Sequence, residues 1–241
     1  MENMIKPILV LGLLGGLFGV LLSLASKVFA VKVDPKITQV LDALPGANCG
    51  ACGFPGCEGL ATAIAKGEAA VNSCPIGGQP TADVIASIMG ADAGEMVKEV
   101  AVVKCKGTSE NAKDKYEYDG IEDCRIQTFL ADGCKACSYG CVGCGTCVNV
   151  CMFDAIHIVD GVAVVDREKC TACNKCVEIC PKHLIELVPY SNKFIVTCNS
   201  NDKGKDVRAN CSVGCIGCQI CVKNCPREAI DFDNFLAKID P

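Results

Sequence analysis

The sequence predicts an α+β protein built as a chain of parts: an N-terminal transmembrane helix, a small helical module with four cysteines, a domain of short hairpins and cysteine loops, and a second, partial copy of that domain. Three observations carry this prediction. Twenty uncharged residues run together near the N-terminus, cysteines recur at fixed spacings, and one fifteen-residue segment returns 74 positions later.

The uncharged run, PILVLGLLGGLFGVLLSLAS, extends from Pro7 to Ser26. As a helix it spans ~30 Å, the thickness of a bilayer's hydrocarbon core. Lys6 is the only basic side chain before it, whereas Lys27, Lys32 and Lys36 follow. The positive-inside rule therefore places the rest of the chain in the cytoplasm. Residues 1–32 are read as a single-pass membrane anchor. A cleaved signal peptide ending at VFA, Val28 to Ala30, is the rival reading, but its apolar region would be unusually long. Gly12 with Gly16, and Gly15 with Gly19, have the spacing that lets a neighbouring helix approach, although glycine is common in membrane helices generally.

Residues 33–91 read as a small helical module. An amphipathic segment, KITQVLDALPG, ends at a Pro-Gly break, and CEGLATAIAKGEA and TADVIASIMG resume helical periodicity after the first cysteines. From Ala101 the pattern changes. Short β-branched runs, AVVK, HIVDGVAVVD and FIVTC, alternate with cysteine loops, and Asp160-Gly161 is a strong hairpin signal. Residues 92–133 contain a charged, turn-rich stretch and are read as an exposed connection. Residues 134–190 then form one domain and 191–241 its incomplete copy. Within them CSYGCVGCGTCVNVC (Cys137 to Cys151) recurs as CSVGCIGCQICVKNC (Cys211 to Cys225), nine of fifteen positions being identical, which marks a duplicated unit. Cys105 and Cys198 hold equivalent places upstream, each after a β-branched run.

The composition excludes several function classes. Twenty-two cysteines and 24 glycines stand against no Trp and 5% aromatics, so large rings do not fill the interior. Net charge is -5, so there is no basic footprint for nucleic acid. No nucleotide-binding glycine motif or nucleophile constellation is present, and no catalytic residue is assigned. His157 and His183 sit just beyond cysteine runs and are read as structural or exposed.

The cysteine spacing decides the chemistry. Three runs read C-x2-C-x2-C-x3-C: Cys141, Cys144, Cys147, Cys151; Cys170, Cys173, Cys176, Cys180; and Cys215, Cys218, Cys221, Cys225. Three thiolates two residues apart wrap one side of an iron-sulfur cube, and the fourth points to a second cube, so such runs work in pairs. Cluster one is then expected on Cys141, Cys144, Cys147 and Cys180, and cluster two on Cys170, Cys173, Cys176 and Cys151. Zinc would leave the third equally spaced cysteine of each run without a role, and disulfides do not suit a cytoplasmic chain. Residues 134–190 resemble the bacterial two-cluster (2x 4Fe-4S) ferredoxin. Upstream, Cys49, Cys52, Cys57 and Cys74 suffice for another 4Fe-4S cluster, with Gly50, Gly53 and Gly56 permitting a tight wrap.

An N-terminal membrane helix, the CGACGFPGC segment with Cys74, and a following ferredoxin domain together resemble the B subunit of the Rnf complex, the ion-translocating ferredoxin:NAD oxidoreductase of bacterial membranes. The resemblance covers essentially the whole chain. It implies an electron-transfer subunit at the cell membrane that accepts electrons from soluble ferredoxin or flavodoxin and relays them through at least three 4Fe-4S clusters to other Rnf subunits. Flavins, NAD and the ion path would belong to those partners. A polyferredoxin of a hydrogenase or another membrane oxidoreductase is the alternative, and a zinc-bound scaffold without redox activity a third. The chain departs from the simplest family layout in its duplicated unit and in six surplus cysteines: Cys105, Cys124, Cys134, Cys137, Cys198 and Cys211. The first four could hold a further cluster, Cys137 could displace Cys144, or some could be free buried thiols. The third run has no partner within the chain. Its trailing segment AIDFDNFLAKIDP follows the course of AIHIVDGVAVVDR, which leads to Cys170, so a fourth run is expected near position 244, past Pro241; the alternative is a fourth ligand from Cys198 or Cys211.

Overall fold

The computed structural model describes residues 2–28 and 34–239. The cleavage site considered at Val28–Ala30 falls mostly outside them, as do Lys32 and the fourth cysteine run expected past Pro241. Helix α1 (Glu2–Val28) is 27 residues long, or about 40 Å at 1.5 Å per residue. Its segment Val10–Lys27 is long and apolar enough to cross a membrane, and none of it is buried against the rest of the chain.

The helical module forms as its sequence signals dictate. Helix α2 (Pro35–Ala43) starts at Asp34, whose carboxylate accepts the Lys36 N–H, with Pro35 in the first turn. Helices α3 (Gly56–Lys66) and α4 (Gly78–Met89) each stop at a left-handed glycine, Gly67 and Gly90. Their apolar faces meet in one core of Val40, Leu44, Leu60, Ala61, Ile64 and Ile85, with Cys74 in its midst.

Strand β1 (Glu99–Val103) comes next, and after it α5 (Cys124–Phe129) and α6 (Thr146–Asn149). The hairpin β2 (Ile156–Val159) and β3 (Val162–Val165) turns at Asp160-Gly161, both at positive φ, as the Asp-Gly pair predicts. Helix α7 (Lys175–Ile179) and strand β4 (Ile185–Pro189) complete the unit. β4 pairs antiparallel with β1, Val100 opposite Val188. The stretch read as a connection, 92–133, thus supplies a strand to the cysteine domain, because a β4 with apolar Ile185, Leu187 and Val188 needs a partner.

More of that stretch is ordered. Asn111–Lys115 lies between two later segments: Lys113 N–H donates to Asn210 O (3.0 Å), Ser212 N–H to Asn111 O (2.8 Å), Lys115 N–H to Cys134 O (2.6 Å) and Ala136 N–H to Lys113 O (2.7 Å). Helix α8 (Gly204–Asn210), helix α9 (Ile220–Lys223) and the hairpin β5 (Ile230–Asp233) and β6 (Leu236–Ile239) follow. α6, β2 and β3 begin at positions 146, 156 and 162, and α9, β5 and β6 each begin 74 residues later, so the sequence repeat is a structural one. The β-branched segment Phe194–Thr197, expected to behave like AVVK, forms no strand. β1 is held by β4, and among the described strands none pairs with Phe194–Thr197.

Gly143 shows how tightly the first unit closes. Its φ is +89°, and a methyl group there would lie 2.7 Å from the Gly161 carbonyl oxygen in the hairpin turn. Gly143→Ala should cost about 2–4 kcal/mol, combining left-handed strain with a backbone clash. Gly67→Ala, at φ +77° with open space around it, should cost only about 1 kcal/mol. Anaerobic thermal unfolding of the two variants measures this difference, and equal shifts would remove the Gly161 contact from the explanation.

Candidate metal centres

In the helical module, Cys49 and Cys52 lie on the loop after α2, Cys57 in the first turn of α3, and Cys74 ahead of α4. Gly50, Gly53 and Gly56 all take positive φ, so the loop wraps as the sequence predicts. Asn48 Oδ1 accepts the Cys57 N–H at 2.8 Å, and a methyl at Gly56 would sit 2.9 Å from that same oxygen. Cys52 and Cys57 pack against the core that contains Cys74. Burial pushes the Cys74 thiol up, backbone N–H groups of Gly77 and Ile76 oppose this, and the nearby Cys52 and Cys57 add to the rise. Three of the four predicted ligands, Cys52, Cys57 and Cys74, are therefore gathered at one place, and Cys49 stands on the same loop as Cys52.

The first two ferredoxin-type runs surround two separate cavities of about 20 Å³ each. The second is lined by Cys151, Cys170, Cys173 and Cys176. That set mixes the last cysteine of one run with the first three of the next. The first cavity is lined by Cys141, Cys147 and Cys180, again from both runs, but its fourth cysteine is Cys124 and not Cys144. Cys124 is positioned at the start of α5, its N–H donating to Thr146 Oγ1 at 2.7 Å. Cys144 Sγ instead donates to Oε1 of the buried Gln127 at 2.8 Å, beside Cys124 and Cys134.

The remaining cysteines fall into two groups. Cys105, Cys137, Cys198 and Cys211 line one further cavity. Cys105 and Cys137 thus stand with Cys198 and Cys211, while Cys124 and Cys134 lie beside Cys144. In the third run Cys218 and Cys221 are exposed and Cys215 and Cys225 half-buried. His157 and His183 are both exposed, His157 standing 3.7 Å from Asp154.

A 4Fe-4S cluster fits these sites by donor chemistry and by electrostatics. Burial pushes the Cys147 thiol up to about 12, with Cys141, Cys124, Cys180 and Cys176 adding to the rise. Cys176 is raised to about 12 by burial and then by Cys173, Cys170 and Cys151. Such thiols ionise only when positive charge arrives among them, and iron supplies it. Backbone N–H groups already point at the sulfurs: Ala51 at Cys49 (3.5 Å), Gly77 at Cys74 (3.4 Å), Ala155 at Cys151 (3.4 Å) and Ala101 at Cys170 (3.3 Å). Among the described residues no three His, Cys, Asp or Glu side chains converge around one point as a single ion requires. A cube holds its thiolates on separate iron corners, further apart.

Two family models match the chain at these cradles. An Fe-S cluster family covers residues 44–76, the stretch with Cys49, Cys52, Cys57 and Cys74, and the 4Fe-4S dicluster domain covers residues 140–185. Fold and sites together define an iron-sulfur electron-transfer protein with several 4Fe-4S clusters. Its relatives narrow the class. The B subunit of the Na(+)-translocating ferredoxin:NAD(+) oxidoreductase complex of Acetobacterium woodii is 50% identical over 241 residues, all of this chain and 72% of that protein. The B subunit of the ion-translocating oxidoreductase complex of Methanosarcina acetivorans is 46% identical over 98% of this chain and 90% of its own length. That of the proton-translocating ferredoxin:NAD(+) oxidoreductase complex of Clostridium ljungdahlii is 41% identical over 100% and 85%. The chain belongs to the family of B subunits of ion-translocating oxidoreductase (Rnf) complexes, as its motifs implied, and is an iron-sulfur electron-transfer subunit of such a complex.

The helical module carries its own core and a complete ligand set. Cys74→Ser in the anaerobically reconstituted full-length chain should therefore remove about four irons and leave the spectra of the other clusters intact. Loss of no iron, or stoichiometric zinc at the site, would contradict this.

Proposed function

We propose that this chain accepts electrons from a soluble ferredoxin or flavodoxin and relays them, cluster to cluster, to partner subunits of its complex, held at the membrane by α1 with its soluble part on the cytoplasmic side. The observation that carries the relay is the pair of four-cysteine cavities that share one apolar core of Ile156, Val162, Leu184 and Ile185. Two carriers on one rigid core keep a fixed separation. When bound, a 4Fe-4S cluster supplies one-electron redox chemistry.

In this reading Cys49, Cys52, Cys57 and Cys74 hold the module's cluster. Cys151, Cys170, Cys173 and Cys176 hold one cluster of the ferredoxin domain, with Ala101 on β1 donating its N–H to the Cys170 sulfur. Cys141, Cys147 and Cys180 hold the other, and Cys124 takes the place that spacing alone gave to Cys144. Lys182 is placed to tune that site: its side chain is 8% exposed, lines the cavity, and is fixed by the Ser138 carbonyl at 2.7 Å. Burial pulls its pKa down, and Asp132 at 3.6 Å opposes the shift. The third run, Cys215, Cys218, Cys221 and Cys225, has Cys218 and Cys221 exposed and would hold a further cluster with a ligand from outside the run. In the sequence, Lys27, Lys32 and Lys36 follow the span and only Lys6 precedes it, which orients the soluble part to the cytoplasm.

Ligand exchange separates the crossed arrangement from its rivals. Cys124→Ser and Cys180→Ala should each abolish the same cluster and spare that of Cys170, Cys173 and Cys176, whereas Cys144→Ser should retain all iron. Iron counting with electron paramagnetic resonance reads the outcome, and a Cys144→Ser protein short of about four irons would return that cysteine to the ligand set. In the intact complex, Cys180→Ala should slow reduction of the acceptor by reduced ferredoxin at least tenfold, since an interrupted relay has no bypass on this core. Protease added to inverted membrane vesicles should cleave the soluble part, and protection there would reverse the orientation.

A further inference from the structure

Four of the surplus cysteines come from two equivalent pairs. In the first unit Cys105 follows β1 and Cys137 opens the cysteine-rich segment; in the second, Cys198 follows the β-branched run at Phe194 and Cys211 stands 74 positions after Cys137. Local spacing joins none of them into a ligand set, because 31 residues separate the first pair and 12 the second. The fold brings all four to one cavity between the two units.

That cavity has the features of the cradles already described. It is of the same small size as the two ferredoxin-domain cavities, about 30 Å³ against about 20 Å³ for each. The Cys105 sulfur accepts two backbone N–H groups, from Gly107 and from Cys141, each at 3.4 Å. A methyl built on Gly107 would meet the Ala112 methyl at 3.1 Å and lie 3.6 Å from the Cys105 sulfur and 3.7 Å from the Cys211 sulfur, so the backbone here runs close to both sulfurs. Gly140 and Gly214 stand close to Cys137 and Cys211 in the same way, at 3.7 and 3.8 Å from their sulfurs. Burial, then the nearby Cys105, Cys198 and Cys211, disfavours the Cys137 thiolate, and the Tyr139 N–H alone opposes them.

Positive charge is built in beside the sulfurs. Lys135 is 5% exposed and lines the cavity, its ammonium donating to the Gly107 carbonyl at 2.6 Å and the Gly161 carbonyl at 2.8 Å. Lys104 and Lys106 also line it, but Lys104 is paired with Glu186 at 2.8 Å and Lys106 is exposed, so Lys135 is the cation that bears on the site, and among the described residues it has no carboxylate partner. A buried cation with no carboxylate partner is costly unless an anion occupies the neighbouring space. A cube with four thiolates is such an anion.

We propose that Cys105, Cys137, Cys198 and Cys211 bind a further 4Fe-4S cluster at the junction of the two units, two ligands from each. This rests on the iron-sulfur reading of the other cradles. The cluster is a cross-link as well as a carrier, since each unit alone holds only half of its ligands.

The test uses the full-length chain, reconstituted anaerobically with iron and sulfide. Cys137→Ser and Cys198→Ser, on opposite units, should each lower iron and acid-labile sulfide by about four atoms per chain, and the double variant should lose the same four, not eight. Unchanged iron in either single variant, a double loss near eight, or loss reaching the cluster of Cys170, Cys173 and Cys176 overturns the proposal. Wild-type protein gives a second measurement that needs no variant. All four thiols are only half-buried, so as free thiols they would react with iodoacetamide. As ligands they should resist alkylation until iron is chelated and then become reactive together, and labelling of any of them in the loaded chain overturns the site. Cys170→Ser is the control: if it too loses no iron, the iron-sulfur reading itself has failed, not this assignment.

Discussion

Burying sulfur that must carry negative charge is the constraint around which the soluble part of this chain is organised. Cys74 lies in the core of the helical module, and Cys141 and Cys147 lie in that of the ferredoxin domain, packed with the aliphatic side chains that in an ordinary protein would be the whole interior. A thiolate in such surroundings costs several kcal/mol unless charge and donors meet it. Iron supplies most of the charge, backbone N–H groups supply the donors, and Lys135 and Lys182 are sunk beside the cavities. The glycine-rich composition follows directly. Backbone can reach a sulfur only where no side chain intervenes, and the absence of Trp leaves the interior volume to the inorganic cubes.

What could be read from the sequence was what is local. The Asp160-Gly161 turn, the three module helices, the wrap of Cys49 to Cys57 and the 74-residue repeat depend on neighbours a few positions apart, and the structure reproduces them. The pairing of Cys151 with Cys170, Cys173 and Cys176 was also within reach, because a fourth cysteine at x3 spacing cannot face its own run. Side-chain direction decided the rest. Cys144 has ideal spacing, yet its thiol donates a hydrogen bond to the buried Gln127, and Cys124, twenty residues upstream, lines the cavity with Cys141 and Cys147. The meeting of Cys105 and Cys137 with Cys198 and Cys211 is wholly tertiary. A usable signal lay in the repeat itself: cysteines copied with the unit but unused by its runs.

Duplication has kept backbone shape more faithfully than side chains. Asp154 and Glu228, Gly145 and Gln219, Asp160 and Asn234, and Gly161 and Phe235 are related by the 74-residue shift, and every one of them is left-handed. Glycine makes that conformation easy in the first copy. In the second, Gln219 and Phe235 hold it at a cost of about 1 kcal/mol each. The second copy is thus the more strained and the more exposed of the two, while Asn111–Lys115, stitched to both, ties it to its better-packed neighbour.

The pairing of β1 with β4 has a consequence during synthesis. Glu99 faces Pro189 across the ladder, so the strand leaves the ribosome roughly 5–20 s before its partner, at ~5–20 residues per second. Throughout that interval an apolar strand has no ladder, and for most of it Cys170, whose sulfur β1 will later hold, has yet to be made. The nascent chain therefore passes through a stage with many reduced thiols and an open edge, vulnerable at once to oxygen and to aggregation. Delivery of iron and sulfide has to be timed to translation, and an oxygen-free cell gives the unfinished chain the longest safe wait.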